Sequence, residues 1–322
     1  MKAIQVSQPG APEAMQLVDI PVREPKSNEA LVKIEAIGVN FIDVYHREGR
    51  YKLPIPFIPG SEMSGTVTKV GADVKDLRPG DRVAQTGVVG TYAEYQAVPV
   101  ERLVKLPNHV DFNTAAAAML QGGTMHYLMR TTYALKPTDT ALVHAAAGGM
   151  GTLLTQFGKK IGARIIGTAG SDDKVKLARQ NGADEVINYS TQDFVAEVKR
   201  FTDGKGVDVV YDGVGKSTFE GSLNCLKPRG YMVLFGAASG AVPPFDPLTL
   251  TAKGSLFLTR PSLKDYTLTH EEYVWRMTEV LNLIAGGDLK IHIGQTYKLA
   301  DAVQAHRDLE GRKTTGKVLL IP

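Results

Sequence analysis

The stretch Thr140–Gly162 constrains this chain most. It reads Thr-Ala-Leu-Val-His-Ala-Ala-Ala-Gly-Gly-Met-Gly and then Thr-Leu-Leu-Thr-Gln-Phe-Gly-Lys-Lys-Ile-Gly. A short apolar run, Ala141 to His144, breaks into a glycine cluster that opens a helical segment. Strand, glycine turn and helix in that order are the setting in which a dinucleotide fingerprint has physical meaning. Gly148 lets the backbone approach a pyrophosphate, and Gly151 lets the helix pack closely on the strand. The helix start near Gly149 turns unpaired N–H groups and a positive dipole end toward phosphate. Ala147 and Met150 belong to the same cradle. Ala146 stands where the first glycine of G-x-G-x-x-G belongs. Small-residue clusters also make plain tight turns, so the flanking strand and helix carry the nucleotide reading.

The surrounding chain has two textures. Residues 1 to about 120 alternate as strands at Lys2 to Val6, Ala30 to Val39, Gly65 to Val70 and Tyr92 to Val98, punctuated by Pro and Gly. Helical character there is confined to Phe41 to Arg47 and to Asn113 to Thr132, which is interrupted at Gly122-Gly123. From about 124 to 262, apolar runs at Arg164 to Thr168, Glu185 to Asn188, Val207 to Asp212, Tyr231 to Phe235 and Leu256 to Thr259 follow the opening unit. Helices over Lys174 to Asn181 and Asp193 to Phe201 lie between the earlier ones. That spacing predicts an α/β fold with a doubly wound parallel sheet, so the loops after His144, Thr168, Asp212 and Phe235 share one ligand crevice. The last 60 residues predict helices over Glu271 to Ala285 and Ala300 to Leu309 and a strand, Lys317 to Ile321. They form a small third unit or return to the first.

Several functional classes are disfavoured. A chain of 322 residues is long enough for two domains, and a net charge of +3 asks for neither nucleic acid nor an anionic membrane. The single cysteine, Cys225, excludes an internal disulfide and a multi-cysteine zinc site. With no signal peptide and no apolar run of about 18 residues, a cytoplasmic protein is expected.

The segments Gly38-Val39-Asn40-Phe41-Ile42-Asp43-Val44-Tyr45, Arg78-Pro79-Gly80-Asp81-Arg82-Val83, His144 to Gly151 and Tyr211-Asp212-Gly213-Val214-Gly215 together resemble the zinc-free quinone oxidoreductases. These are a zeta-crystallin-like branch of the medium-chain dehydrogenase/reductase superfamily. The resemblance spans the whole chain, to the closing Gly316-Lys317-Val318-Leu319-Leu320-Ile321-Pro322. It implies a GroES-like catalytic domain of residues 1–123, completed by 263–322, and a Rossmann NADP(H)-binding domain of residues 124–262. It places the active site in the cleft between domains. It also implies a homodimer, with the strand around Leu256 to Arg260 pairing across the interface.

Zinc-dependent relatives carry Gly-His-Glu where this chain has Gly60-Ser61-Glu62, and a cysteine that has no counterpart near Asn40. Catalytic zinc needs three ligands and an open position, and the seven histidines show no metal-like spacing. A metal-free reaction is expected. His144 reads as a packed strand residue.

Cofactor choice is legible at the end of the second strand of the sheet. An NAD enzyme places Asp or Glu about 20 residues past the fingerprint for the ribose 2′-hydroxyl; Ala169 stands there. In the turn Gly170-Ser171, Ser171 is placed with Lys174 to donate to a 2′-phosphate. Tyr189 matches a phosphate-binding tyrosine of the family. One or two charge-assisted bonds at about 1.5–3 kcal/mol each favour NADPH by about one to three decades. Asp172 and Asp173 oppose this unless they point to solvent, and Lys174 also reads as a plain surface lysine. Gly213 and the pair Phe235-Gly236 follow the fourth and fifth strands, where backbone groups flank the nicotinamide ribose. Arg312 reaches the cofactor by family analogy, or is simply exposed.

At the reacting end the resemblance assigns Asn40, Tyr45, Gln121 and Thr124 to the nicotinamide and acceptor pocket. Helix capping and core packing are the plainer readings of Asn40 and Tyr45. A quinone that takes a hydride becomes a phenolate-like anion, for which water or the Tyr45 hydroxyl suffices as proton source. The expected activity is NADPH-dependent quinone reduction. The same scaffold suits reduction of an enal or enone C=C bond. A nucleotide-regulated RNA-binding or structural role is a remote third, for want of a basic stretch with interleaved aromatics.

Overall fold

The computed structural model describes all 322 residues. Two compact units emerge, Thr124–Asp265 and, from both ends of the chain, Met1–Gly123 with Tyr266–Pro322.

The Thr124–Asp265 unit holds a six-stranded sheet. Its order is Glu185–Asn188, Arg164–Ala169, Thr140–Val143, Val207–Asp212, Leu226–Leu234, Phe257–Thr259. Every neighbouring pair is parallel. In chain order this is 3-2-1-4-5-6, the doubly wound Rossmann arrangement, with its reversal between Thr140–Val143 and Val207–Asp212. Central strands of such a sheet are covered on both faces, hence apolar runs rather than alternation. Ile165, Ile166, Val209 and Val210 are all buried. The fingerprint helix, Gly149–Ile161, buries Leu153, Leu154 and Phe157 and stops at Gly162, whose φ of 100° suits a residue without Cβ. At the far edge of the sheet, Phe257 is half exposed and stacks on Tyr231 with ring centroids 4.5 Å apart.

The other unit is built on a seven-stranded sheet ordered Ile293–Lys298, Lys317–Ile321, Glu29–Val39, Glu62–Val70, Arg82–Thr86, Val104–Lys105. The seventh strand, Tyr95–Pro99, pairs with the first half of Glu29–Val39. The chain's last strand is antiparallel to Glu29–Val39, with Val318 opposite Val39. The final residues therefore supply two strands of the first unit's sheet, and this register puts Lys317 beside Asn40. Val32, Ile34, Met63, Val83, Val318 and Leu320 are among the side chains of its core.

Two expectations about local structure change. Helix Phe112–Tyr127 runs unbroken through Gly122-Gly123 into a π turn at Leu128–Thr132. A Cβ on Gly122 would stand 2.5 Å from Val280 Cγ1, so this glycine permits close packing on helix His270–Ala285 instead of a turn. Strand Leu226–Leu234 starts five residues before Tyr231, carrying Arg229 at a left-handed φ of 61° within it. No helix is long and apolar enough to cross a membrane.

Candidate active site

The glycine turn follows directly on strand Thr140–Val143. Ala145 has φ 52°, an uncommon conformation for a residue with a Cβ, and Gly148 is the N-cap of the fingerprint helix. A glycine cap has no side chain to occupy the first amides, and Gly148, Gly149 and Met150 are partly exposed, while Ala147 is buried. Only Ala145 O, at 3.2 Å, comes within 4 Å of where a Gly148 Cβ would stand. The outer side of the cradle therefore has room for an anion, the geometry a pyrophosphate requires. Gly151 is different: a Cβ there would meet Ala145 O at 2.2 Å and Ala146 Cα at 2.5 Å, so it is a packing glycine.

At the end of the second strand the buried Ala169 stands where an NAD enzyme carries its ribose-binding carboxylate. Ser171 caps helix Asp172–Gln180, its Oγ accepting the Lys174 N–H at 3.4 Å. Tyr189 is half exposed, and its hydroxyl lies 2.4 Å from where a Gly170 Cβ would be, so the phenol covers the Gly170-Ser171 turn. The two opposing acids are accounted for. Asp172 Oδ1 accepts from Asn188 Nδ2 at 2.8 Å, and the solvent-exposed Asp173 pairs with Lys176 at 3.2 Å. Gly170, Ser171 and Tyr189 thus lie together at this turn, with Lys174 in the first turn of the helix that Ser171 caps.

Past the fourth and fifth strands, the Phe235 ring occupies the space of a Gly213 Cβ, at 2.8 Å, and a Gly236 Cβ would meet Gly213 O at 2.3 Å. Gly213, Phe235 and Gly236 are therefore one packed group, and a side chain at 213 would have to displace the Phe235 ring.

In the first unit, Asn40, assigned with Tyr45 to the nicotinamide and acceptor pocket, is held in a buried polar network. It is buried, with Nδ2 donating to Glu62 Oε2 at 2.8 Å and to Gly38 O at 3.3 Å, and with Oδ1 accepting from Lys317 Nζ at 2.6 Å. The reason is the Lys317 ammonium, which is only 2% exposed and needs acceptors; it also pairs with Glu62, which is 0% exposed. Glu62 Oε1 accepts the Leu120 N–H at 2.6 Å, and glycine at 38 makes the room, since a Cβ there would meet Glu62 Oε2. Asn40 is the N-cap of helix Phe41–Arg47, and Asp43 at the third helical position accepts the Asn40 N–H on Oδ2 at 2.9 Å, as in a capping box.

Asp43 opens a second buried chain. It accepts from the Tyr92 hydroxyl at 3.1 Å and from Ser61 Oγ at 3.3 Å. Tyr92 meets His306 Nε2 at 3.0 Å, and Arg47 Nη1 donates to His306 Nδ1 at 3.1 Å and to Glu310 at 2.6 Å. Because Arg47 only donates, His306 Nδ1 accepts and its proton sits on Nε2. Burial pushes Asp43 up to about 7 against the pull of the Asn40 N–H, Lys317 and Tyr92. Burial, aided by Arg47, lowers His306 to about 3.

Tyr45 is nearly buried, edge-on to Tyr51 at 5.5 Å with the Arg50 guanidinium over its ring at 5.4 Å. Gln121 and Thr124 lie three apart on one helix and so share a face, Gln121 partly exposed and Thr124 nearly buried. Arg312 is exposed on a left-handed turn, φ 58°, after helix Ala302–Glu310.

Zinc does not fit these residues. Asn40 and Ser61 stand where ligands are needed, Glu62 is neutralised by Lys317, and no group of three or more His, Cys, Asp or Glu is arranged to hold a metal. The Glu62–Lys317 pair and the Asp43–Tyr92–His306–Arg47 chain went unread in the sequence. The only signal was an acid retained at Glu62 beside two replaced ligands.

Comparison with known proteins gives the same picture. Residues 26–108 match the "Alcohol dehydrogenase GroES-like domain" model, and residues 149–279 match the model described as "Zinc-binding dehydrogenase". A quinone oxidoreductase of Pseudomonas aeruginosa is 46% identical over 323 residues, covering 100% of this chain and 99% of that one. A 2-haloacrylate reductase of a Burkholderia species is 38% identical, over 99% and 98%. The crystal structure of an Escherichia coli quinone oxidoreductase complexed with NADPH superposes with a TM-score of 0.98 at 44% identity, covering 100% of both chains. With fingerprint, sheet order and full-length identity in agreement, the chain belongs to the quinone oxidoreductase family of the medium-chain dehydrogenase/reductase superfamily.

Proposed function

We propose that the protein is an NADPH-dependent quinone reductase that works without a metal. The observation that carries the reading is the Gly170-Ser171 turn covered by Tyr189, with Ala169 where an NAD enzyme carries a carboxylate and Lys174 in the helix that follows, in a chain 46% identical to a quinone oxidoreductase. The NADPH bound in the Escherichia coli relative supports the cofactor.

In this reading the Thr124–Asp265 unit is the nucleotide-binding domain, and the remainder is the catalytic domain. The amides from Ala147 to Gly151 hold the pyrophosphate, and Gly170, Ser171, Lys174 and Tyr189 hold the 2′-phosphate. Gly213, Phe235 and Gly236 flank the nicotinamide ribose, and Arg312 adds a cationic contact. NADPH, when bound, supplies the hydride; the protein supplies orientation and a dry environment. Thr124 and Gln121 offer hydrogen bonds from one helix face. The Tyr45 hydroxyl, or water, gives the proton to the reduced acceptor. The role of Asn40 is to hold the start of helix Phe41–Arg47, and with it Tyr45, through Glu62 and Lys317.

A second reading, hydride transfer to an activated C=C bond, is favoured by the 38% identity to a protein named 2-haloacrylate reductase. A panel of NADPH oxidation rates separates the two. Quinones outrunning α,β-unsaturated carbonyls supports the first; quinone inactivity beside fast enal turnover overturns it. A cytosolic homodimer completes the proposal: the edge strand Phe257–Thr259 offers unpaired backbone groups and a half-exposed Phe257 to a second copy. Sedimentation of a single monomeric species at micromolar concentration would refute the pairing.

A further inference from the structure

His144 takes no part in the roles above, yet it is buried with both ring nitrogens engaged. Nδ1 lies 3.0 Å from Thr168 Oγ1, and Nε2 lies 2.9 Å from Ser222 Oγ. The neighbours fix the direction of each proton. Asp212 accepts the N–H groups of Val214 at 2.7 Å and Gly215 at 3.0 Å on Oδ1, and the Thr218 hydroxyl at 2.7 Å on Oδ2. Such a carboxylate accepts only, so Ser222, 3.0 Å from Asp212 Oδ2, donates to it. The Ser222 lone pair then receives Nε2–H of a neutral imidazole, whose bare Nδ1 accepts from the Thr168 hydroxyl. Thr168 Oγ1 in turn accepts the Ala145 N–H at 3.3 Å. The result is an unbroken one-way run of hydrogen bonds from a backbone amide to a carboxylate. Burial, which lowers the His144 pKa, favours the neutral ring this requires.

Both ends of the run adjoin turns assigned to the nucleotide. Ala145 opens the glycine turn at a φ of 52°, which a Cβ disfavours, so neighbouring contacts must hold it there. Thr168 does so twice, since its carbonyl also accepts the Ala146 N–H at 2.9 Å. At the other end Asp212 shapes the Gly213–Gly215 turn, and its carbonyl accepts the Phe235 N–H at 2.9 Å. Packing alone, with the His144 ring edge-on to Phe194 at 5.1 Å, asks only for an aromatic ring and leaves the polar chain unexplained.

We infer that Thr168, His144 and Ser222 are positioning residues, a relay through which Asp212 sets the glycine turn for the pyrophosphate. The inference rests on the nucleotide reading above. In a run of this kind each bond polarises the next, so cutting it anywhere loosens the far end.

The test is a cycle of Ser222→Ala and Thr168→Val, read by calorimetric NADPH binding and by steady-state kinetics. Each single change is expected to raise the NADPH Kd and KM roughly tenfold, with kcat at saturating NADPH within about twofold. Because both cut one chain, the double variant is expected near tenfold as well, not near the hundredfold product. Thr168→Ser, which restores the hydroxyl, is expected to recover wild-type affinity. Should Ser222→Ala not fold, the contrast between Thr168→Val and Thr168→Ser decides the matter by itself. Wild-type affinity in Thr168→Val, or Kd increases that multiply in the double variant, overturns the relay while leaving NADPH binding intact. No NADPH binding by the wild type overturns the nucleotide reading, and the relay falls with it.

Discussion

Lys317→Met is the most informative stability perturbation. The ammonium is 2% exposed and sits against Glu62, which is 0% exposed. Removing it leaves the Glu62 carboxylate with only the Asn40 Nδ2 donor and the Leu120 N–H, uncompensated in charge. Breaking one side of a buried ion pair costs about 3–5 kcal/mol, because the remaining charge stays desolvated. The unit that contains it has about 180 residues, a size at which 1 kcal/mol moves Tm by about 2–4 °C, so a loss of roughly 6–20 °C is expected. Glu62→Gln alone strands the ammonium and falls in the same range. The double variant Lys317→Met/Glu62→Gln removes both charges and is expected to recover most of the loss, since neutral replacement of a whole buried pair is often close to neutral. Calorimetry with urea unfolding, fitted separately to each unit's transition, reads all four corners of the cycle. A double variant as unstable as the sum of the singles, or a single Lys317→Met below about 1 kcal/mol, refutes the claim that the pair is closed and dry.

Three further outcomes follow. Burial raises Asp43 from 3.8 to about 7, so the folded state binds its proton more tightly and its contribution to stability falls as pH rises through that window. His306, lowered from 6.5 to about 3, contributes the opposite slope, so Asp43→Asn should leave stability rising between about pH 4 and 6.5 by up to roughly 1.4 kcal/mol per pH unit; a stability difference from wild type that stays flat across that range would contradict the burial argument. Tyr45→Phe is expected to lower turnover only modestly, and a fall of several decades in kcat would make Tyr45 an essential acid. Gly151→Ala drives a Cβ to 2.2 Å from Ala145 O, so the turn must shift, at the upper end of about 1–3 kcal/mol, and lose NADPH; unchanged affinity in a titration would show that the turn does not hold the cofactor.

What the sequence made legible was local. Val207 to Asp212 and Arg164 to Thr168 read as buried strands because a doubly covered strand is largely apolar, and Ala169 is informative because the missing carboxylate is counted from the fingerprint. Gly122 misled for a physical reason: a glycine that admits a neighbouring helix looks, in one dimension, like one that ends its own. The Lys317–Glu62 bond spans 255 positions, and no periodicity links a C-terminal strand lysine to an acid on another strand of the sheet. His144 is expected as a packed strand residue; it is buried but stands one residue past strand Thr140–Val143, in the turn, and its polar partners at Thr168 and Ser222 come from other elements, 24 and 78 positions away. Ser61 and Asn40 announced lost metal ligands, whereas the buried cation that occupies their neighbourhood required the sheet register.

The central claim is that the Gly170–Tyr189 cluster selects NADPH for reduction of a quinone. Its most direct test is kcat/KM for NADPH and for NADH with one quinone under identical conditions, in wild type and in Lys174→Ala. NADPH is expected to be favoured by at least about tenfold, and Lys174→Ala to narrow the ratio by lowering the NADPH value alone. Equal or better use of NADH, or a ratio that Lys174→Ala leaves untouched, would contradict it.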